Sequence, residues 1–148
     1  MAFEIGTDGI GGLAVGFDGS GPSHDALAFS AGIARRNGAT LTVVYVIDPG
    51  AEAVAVLAPG AAGAIGMTEH AAVDSVRAEV EEALDGLTVT WDFVSARGDP
   101  AAVLEQVADA RRLDAIVVGR SRSRLHRRLG SIPARLMRTA QRPIAVVP

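Results

Sequence analysis

Two stretches of this chain carry residue types able to hold an anion. One begins at Gly119, continues through a basic loop from Arg120 to Leu129, and closes on Gly130-Ser131. Gly130 frees the backbone at the turn, Ser131 suits a helix N-cap, and Pro133 suits the first helical turn. A helix start carries unpaired N–H groups and a partial positive charge, so it can hold phosphate above other anions. Arg120, Arg122, Arg124, Arg127 and Arg128 crowd the same loop, and guanidinium groups bind phosphate in bidentate fashion. The second stretch is Asp18-Gly19-Ser20-Gly21-Pro22. A carboxylate beside phosphates is unfavourable alone. With Mg²⁺ between them it is not, because Mg²⁺ is usually held by one or two carboxylates plus phosphates. Each feature has a plainer reading: a helix cap for Ser131, a turn residue bonded to its own backbone for Asp18, and a solvated loop for the arginines.

The rest of the chain offers little other chemistry. His24, His70 and His126 are scattered without metal-ligand spacing. Ser20 and Ser23 stand near His24, but neighbours on a helix start do not have the geometry of a nucleophile and its base. There is no lysine, so a Walker A loop is excluded. There is no cysteine; thiol and disulfide chemistry are excluded and a cytoplasmic setting fits. No aromatic residue sits among the loop arginines to stack on bases, which argues against nucleic acid. No apolar run approaches the roughly 20 residues needed to cross a bilayer. Met1 to Leu13 lacks a charged and then apolar leader, so no secretion signal is expected.

The net charge of −3 hides an asymmetry. From Arg111 onward ten arginines face one acid, a balance of +9 that leaves −12 on the rest. An acidic body with a basic end points to an anionic ligand or partner there.

The elements that must position these residues follow in order. Residues 1–12 read as a loose leader, and the domain proper as 13–148. Leu13 to Phe17 is a short apolar strand. Ser20 caps a helix with Pro22 in its first turn, which runs to about Asn37 and ends at Gly38. Its apolar stripe is Ala26, Phe29 and Ile33, with Leu27 and Ala34. Thr40 to Ile47 is a second strand. Asp48 to Met67 is rich in Ala and Gly and reads as a long connection, with room for a helical turn near Val54. A helix from a cap at Thr68 to Asp85 carries Ala72, Val76, Val80 and Leu84 on one face. Leu87 to Val94 alternates, as in a strand with one face more exposed, at an edge. Asp99 caps the next helix with Pro100 at its first position. Val103, Leu104 and Val107 are that helix's buried face. Ala115 to Val118 is an apolar run suited to a strand covered on both faces. The loop, a short helix from Ser131, and a last strand, Pro143 to Pro148, complete the chain.

Such β-α alternation gives a single α/β domain with an open parallel sheet and helices on both faces. In sheets of this type ligands lie beyond the carboxyl ends of the strands, where strand order reverses. If the order is 3-2-1-4-5, the reversal falls between the first and fourth strands, and Asp18 and Gly119 are then neighbours across one crevice.

The chain resembles the universal stress protein family from Leu13 onward. The residues that carry the resemblance are Val15-Gly16-Phe17-Asp18-Gly19-Ser20, Val44-Tyr45-Val46-Ile47-Asp48, Gly98-Asp99-Pro100, Ile116-Val117-Val118-Gly119, Leu129-Gly130-Ser131 and Arg142-Pro143-Ile144-Ala145-Val146-Val147-Pro148. The resemblance implies a doubly wound, Rossmann-like sheet of five strands in the order 3-2-1-4-5, as in adenine nucleotide α-hydrolases. It implies a homodimer joined through the last strand, and a division between members that bind ATP or AMP and members that do not. In the binding branch Asp18 would sit near the ribose or a metal, Val46 would meet adenine through its backbone, and Gly119, Gly130 and Ser131 would hold phosphates. Gly16, Phe17, Val118, Arg120, Arg122 and Ile132 complete that expected site. Members of that branch carry Gly-x2-Gly-x9-Gly before a Ser or Thr. Here Arg122 replaces the second Gly, and only seven residues separate it from Gly130. The expectation is an adenine nucleotide-binding stress-response module, with Mg²⁺ accompanying the nucleotide and little or no catalysis. The alternatives are a family member acting through its dimer and protein partners, and a slow ATPase.

Overall fold

The computed structural model describes residues 9–50, 69–120 and 131–148. The long connection from residue 51 on, the Thr68 cap, and the loop with Arg122, Arg124, Arg127, Arg128 and Gly130 lie outside the described residues.

Five strands form one parallel sheet: β1 (Gly12–Gly16), β2 (Thr40–Ile47), β3 (Thr90–Arg97), β4 (Ala115–Gly119) and β5 (Ile144–Val147). Their order is β3-β2-β1-β4-β5, the expected 3-2-1-4-5. Four helices are described: α1 (Gly21–Asn37), α2 (Glu69–Leu84), α3 (Pro100–Ala110) and α4 (Ile132–Thr139). α1 and α2 cover one face, packing Ala26, Leu27, Ala34, Val80 and Leu84 on Leu13, Val15, Leu41, Val43 and Val117. α3 and α4 cover the other, packing Val103, Leu104 and Leu136 on Ala14, Val44, Ile116 and Val118. The sheet thus separates two cores, and alternate residues of its central strands feed each. Central strands buried on both faces need unbroken apolar runs, which is what β1 and β4 supply.

The caps fall where the side-chain chemistry directs. Ser20 accepts from the Ser23 N–H, Asp99 from Ala102 and Ser131 from Ala134, each with a proline in the first turn. Gly38 ends α1 in the left-handed region, φ 62°, the conformation glycine adopts at least cost.

Three expectations are corrected. β1 is Gly12–Gly16, one residue earlier than expected. β3 begins at Thr90, not Leu87. The amide of Leu87 is spent on the Leu84 carbonyl and that of Val89 on the Leu87 carbonyl, so the chain is still turning where its alternation already reads as strand. Pairing starts at Thr90 because Thr90 lies opposite Thr40, the first residue of β2. Phe29 is no core residue. It is 44% exposed, while Ser23, Ala26, Ser30 and Ala34 face the sheet and let α1 approach closely.

Candidate functional site

β1 and β4 are neighbours, with Val15 opposite Val117. Phe17 and Asp18 therefore emerge from the carboxyl rim level with Gly119, at the one place where consecutive order is broken. The sequence expectation that an early acid and a late glycine share this rim holds.

Asp18 makes the turn it was suspected of making. Its Oδ1 accepts the Ser20 N–H at 2.9 Å, and its own N–H donates to Ser23 Oγ at 3.3 Å. Asp18 is exposed as a residue, yet neighbouring atoms crowd its carboxyl enough for desolvation to oppose the charge. Hydrogen bonds from Ser20 and Ser23 outweigh that effect and hold its pKa below the ordinary 3.8. A carboxylate has about four lone-pair positions, so the turn leaves it acceptor capacity.

Gly119 has a local cause that sequence reasoning missed. A Cβ on it would lie 2.2 Å from the Pro22 carbonyl oxygen and 2.4 Å from the carbonyl carbon. The first turn of α1 lies directly against the end of β4, and only glycine admits it. Gly16 is less restricted: a Cβ there would meet Leu104 and Val118 at 3.4 and 3.5 Å.

Val46, Val118 and Ile132 come together in the α3/α4 core. Phe17 points the other way, into the α1/α2 core, with its ring edge-on to His24 at 4.9 Å. Only the backbone of Phe17 is therefore offered to the Val46 side. His24, unremarkable in the sequence, meets Glu79 of α2 at 2.5 Å. Glu79 also borders Gly19, so α2 is tied to the turn that holds Asp18. The partners are 55 residues apart, and no periodicity could have shown it.

The Arg120 N–H donates to the Val147 carbonyl at 2.7 Å, while the residue is exposed. Ser131 caps α4 through its Oγ at 3.3 Å. Asp99 does more than cap α3. Its Oδ2 accepts the Ala102 N–H at 3.0 Å, and its Oδ1 accepts from Arg135 of α4 at 2.5 Å. The Arg135 hydrogen bond is the main reason the Asp99 pKa lies below the ordinary 3.8. Among the described residues no group of three or more His, Cys, Asp or Glu could hold a metal ion. No helix among them is long and apolar enough to cross a membrane.

The fold is that of several solved universal stress proteins. One solved in complex with cAMP is 22% identical, with TM-score 0.67, over 95% of this chain and 98% of that one. The universal stress protein UspA from Lactobacillus plantarum is 21% identical, with TM-score 0.69, over 93% and 97%. The protein from Archaeoglobus fulgidus solved in complex with dAMP is 17% identical, with TM-score 0.66, over 92% and 96%. No curated protein matches the sequence. The sequence profile of the universal stress protein family matches residues 13–148. With nearly the whole chain matched, this protein belongs to the universal stress protein family.

Proposed function

We propose that this chain binds an adenine nucleotide, ATP or AMP, at the carboxyl rim between β1 and β4, as a small cytoplasmic stress-response module with little or no catalysis. The observation that carries the reading is the register that sets Phe17 level with Gly119, and so brings Asp18 to the same rim, where strand order reverses. The fold relatives solved with cAMP and dAMP support it. In this reading the Val46 backbone meets adenine and Asp18 the ribose or Mg²⁺. Gly119, Arg120, Ser131 and Ile132, with Arg122 and Gly130 of the intervening loop, surround the phosphates. Asp18 is one carboxylate, so Mg²⁺ is expected only together with nucleotide phosphates. Calorimetric titration with AMP, and with ATP with and without Mg²⁺, tests the reading. Saturable heat that Asp18→Ala weakens is the expected result. Neither heat nor a thermal shift at millimolar ligand removes it.

The dimer belongs to the same proposal. β5 lies at the sheet edge with Val146 40% exposed. α1 and α4, which both touch β5, expose Phe29 and Met137. An exposed apolar strand edge invites pairing with a second copy.

A second reading is favoured by a specific contact. Pro22 accounts for Gly119 without any ligand, and Arg122 stands where binders carry glycine. On this reading the protein acts through its dimer and protein partners, and the protein purifies free of nucleotide.

A further inference from the structure

α4 is eight residues long and buries only Pro133 and Leu136. With Ile132 the only partly buried apolar residue beside them, these few apolar anchors leave its tilt poorly fixed by packing. Polar side chains make up the difference. Asp99, Glu105 and Asp109 are the acids of α3 and its cap, and each is engaged from the α4 side. Asp99 pairs with Arg135, Glu105 accepts from the Thr139 hydroxyl, and Asp109 pairs with Arg142. Between them lies an open groove lined also by Ala101, Ala102, Gln106 and Arg138, so apolar side chains do not fill the space.

The three links differ in where they act. Those at Thr139 and Arg142 hold the far end of α4 and the start of β5. Arg135 stands in the first turn, and its N–H donates to the Ser131 carbonyl at 3.0 Å. Asp99 follows β3, and the neighbouring Gly98 N–H donates to the Ile47 carbonyl at the end of β2 at 3.0 Å. Asp48, the next residue after β2, adds its charge to the field that raises the Arg135 pKa, though Asp99 dominates. One side chain therefore ties the α4 start to the carboxyl ends of β2 and β3.

We propose that Asp99 and Arg135 are positioning residues that set where the first turn of α4, and with it Ser131, stands over the rim. Its ligand arm rests on the nucleotide reading above; its structural arm does not. The pair forms a latch: Asp99 cannot move without disturbing the α3 cap, so Arg135 is referred to a fixed point. A cap alone would need only one carboxylate oxygen; here both are used.

The test uses Asp99→Asn, Arg135→Gln and the double variant. Asparagine is as good an N-cap as aspartate, so the first variant keeps the α3 cap and removes both the charge and the acceptor that face Arg135. Hydrogen exchange of the unliganded protein is read at the α4 amides from Arg135 to Thr139. Each single variant should exchange there about threefold to tenfold faster, with α3 unchanged. The double variant should be no faster than either single, and Arg135→Lys should recover part of the protection. AMP affinity should fall by a similar factor while the thermal midpoint drops only by the small amount that the lost pair accounts for, and Arg135→Lys should recover AMP affinity together with α4 protection, a pairing that a merely structural contact would not give. Unchanged α4 exchange in Asp99→Asn overturns the proposal. So does faster exchange with unchanged AMP affinity in a protein that binds AMP. Absence of AMP binding by the unaltered protein overturns the nucleotide reading instead, and the latch then stands or falls on exchange alone.

Discussion

Pro22 occupies the space that any side chain at residue 119 would need, its carbonyl oxygen 2.2 Å from the position of a Cβ there. The first turn of α1 and the last residue of β4 meet backbone to backbone. The contact joins the turn that holds Asp18 to the strand that leads into the arginine loop. Gly119 is thus required by the fold before any ligand is considered.

Gly119→Ala should therefore destabilise the protein with or without nucleotide. Overpacking of this kind typically costs about 1–3 kcal/mol, and a clash with backbone belongs at the upper end. Urea unfolding of the unliganded protein measures it. A loss well under about 1 kcal/mol would mean that α1 shifts freely and that the contact does not fix the rim.

Ser131 can be separated into cap and ligand roles. Ser131→Ala loses the bond to the Ala134 N–H and should cost about 1 kcal/mol. Ser131→Asp keeps a good cap but sets a negative charge where the phosphates are proposed. It should retain stability and lose nucleotide binding. Equal nucleotide affinity in Ser131→Asp and the unaltered protein would remove Ser131 from the phosphate site.

Acid stability should fall below about pH 4. Asp18, Asp92 and Asp99 all have folded pKa values below the ordinary 3.8. Their contributions are present above the unfolded value. They disappear as pH drops through the folded values, because the unfolded chain takes up protons first. For Asp92 the main cause is the hydrogen bond from Arg111. Urea midpoints followed from neutral to acid pH should drop more gently in Asp18→Asn and in Asp99→Asn. Curves that superpose with the unaltered protein would contradict the assignment.

Arg112 holds a left-handed backbone, φ 53°, just past α3. A non-glycine residue is strained there, and glycine is not. Arg112→Gly should raise stability by up to about 1 kcal/mol, after the extra freedom glycine gives the unfolded chain is subtracted. Thermal unfolding checks the sign.

On the proposed dimer, Val146→Lys should shift the protein to a monomer in sedimentation equilibrium, since charge on an edge strand blocks pairing. An unchanged mass would place the contact elsewhere.

Much of the architecture was legible because its causes are local. β2 needed only its β-branched run, and the caps at Ser20, Asp99 and Ser131 needed only a side chain and a following proline. Strand order came from the family resemblance, and the alternation of elements agreed with it. β3 was misplaced because its start is set by Thr40 of the neighbouring strand, which its own residues do not encode. Phe29 was misplaced because helical spacing cannot say which side of a broad apolar arc the sheet will select. At the site, Asp18 and Gly119 were brought together correctly. The reason for Gly119 was hidden, however, since it lies in Pro22, a residue distant in sequence. The pairs Asp99–Arg135 and His24–Glu79 join residues 36 and 55 apart. A charge in a sequence does not name its partner.

Both helical layers rest on an apolar core, and both carry polar links at their edges. Beside α3 these are concentrated in one row: Asp99–Arg135 and Glu105–Thr139 join α3 to α4, and Asp109–Arg142 holds the start of β5. Salt screens exposed charge pairs and leaves buried apolar contact in place. A rise in ionic strength should therefore free the rim of this seam first, with Leu136 still seated beneath it.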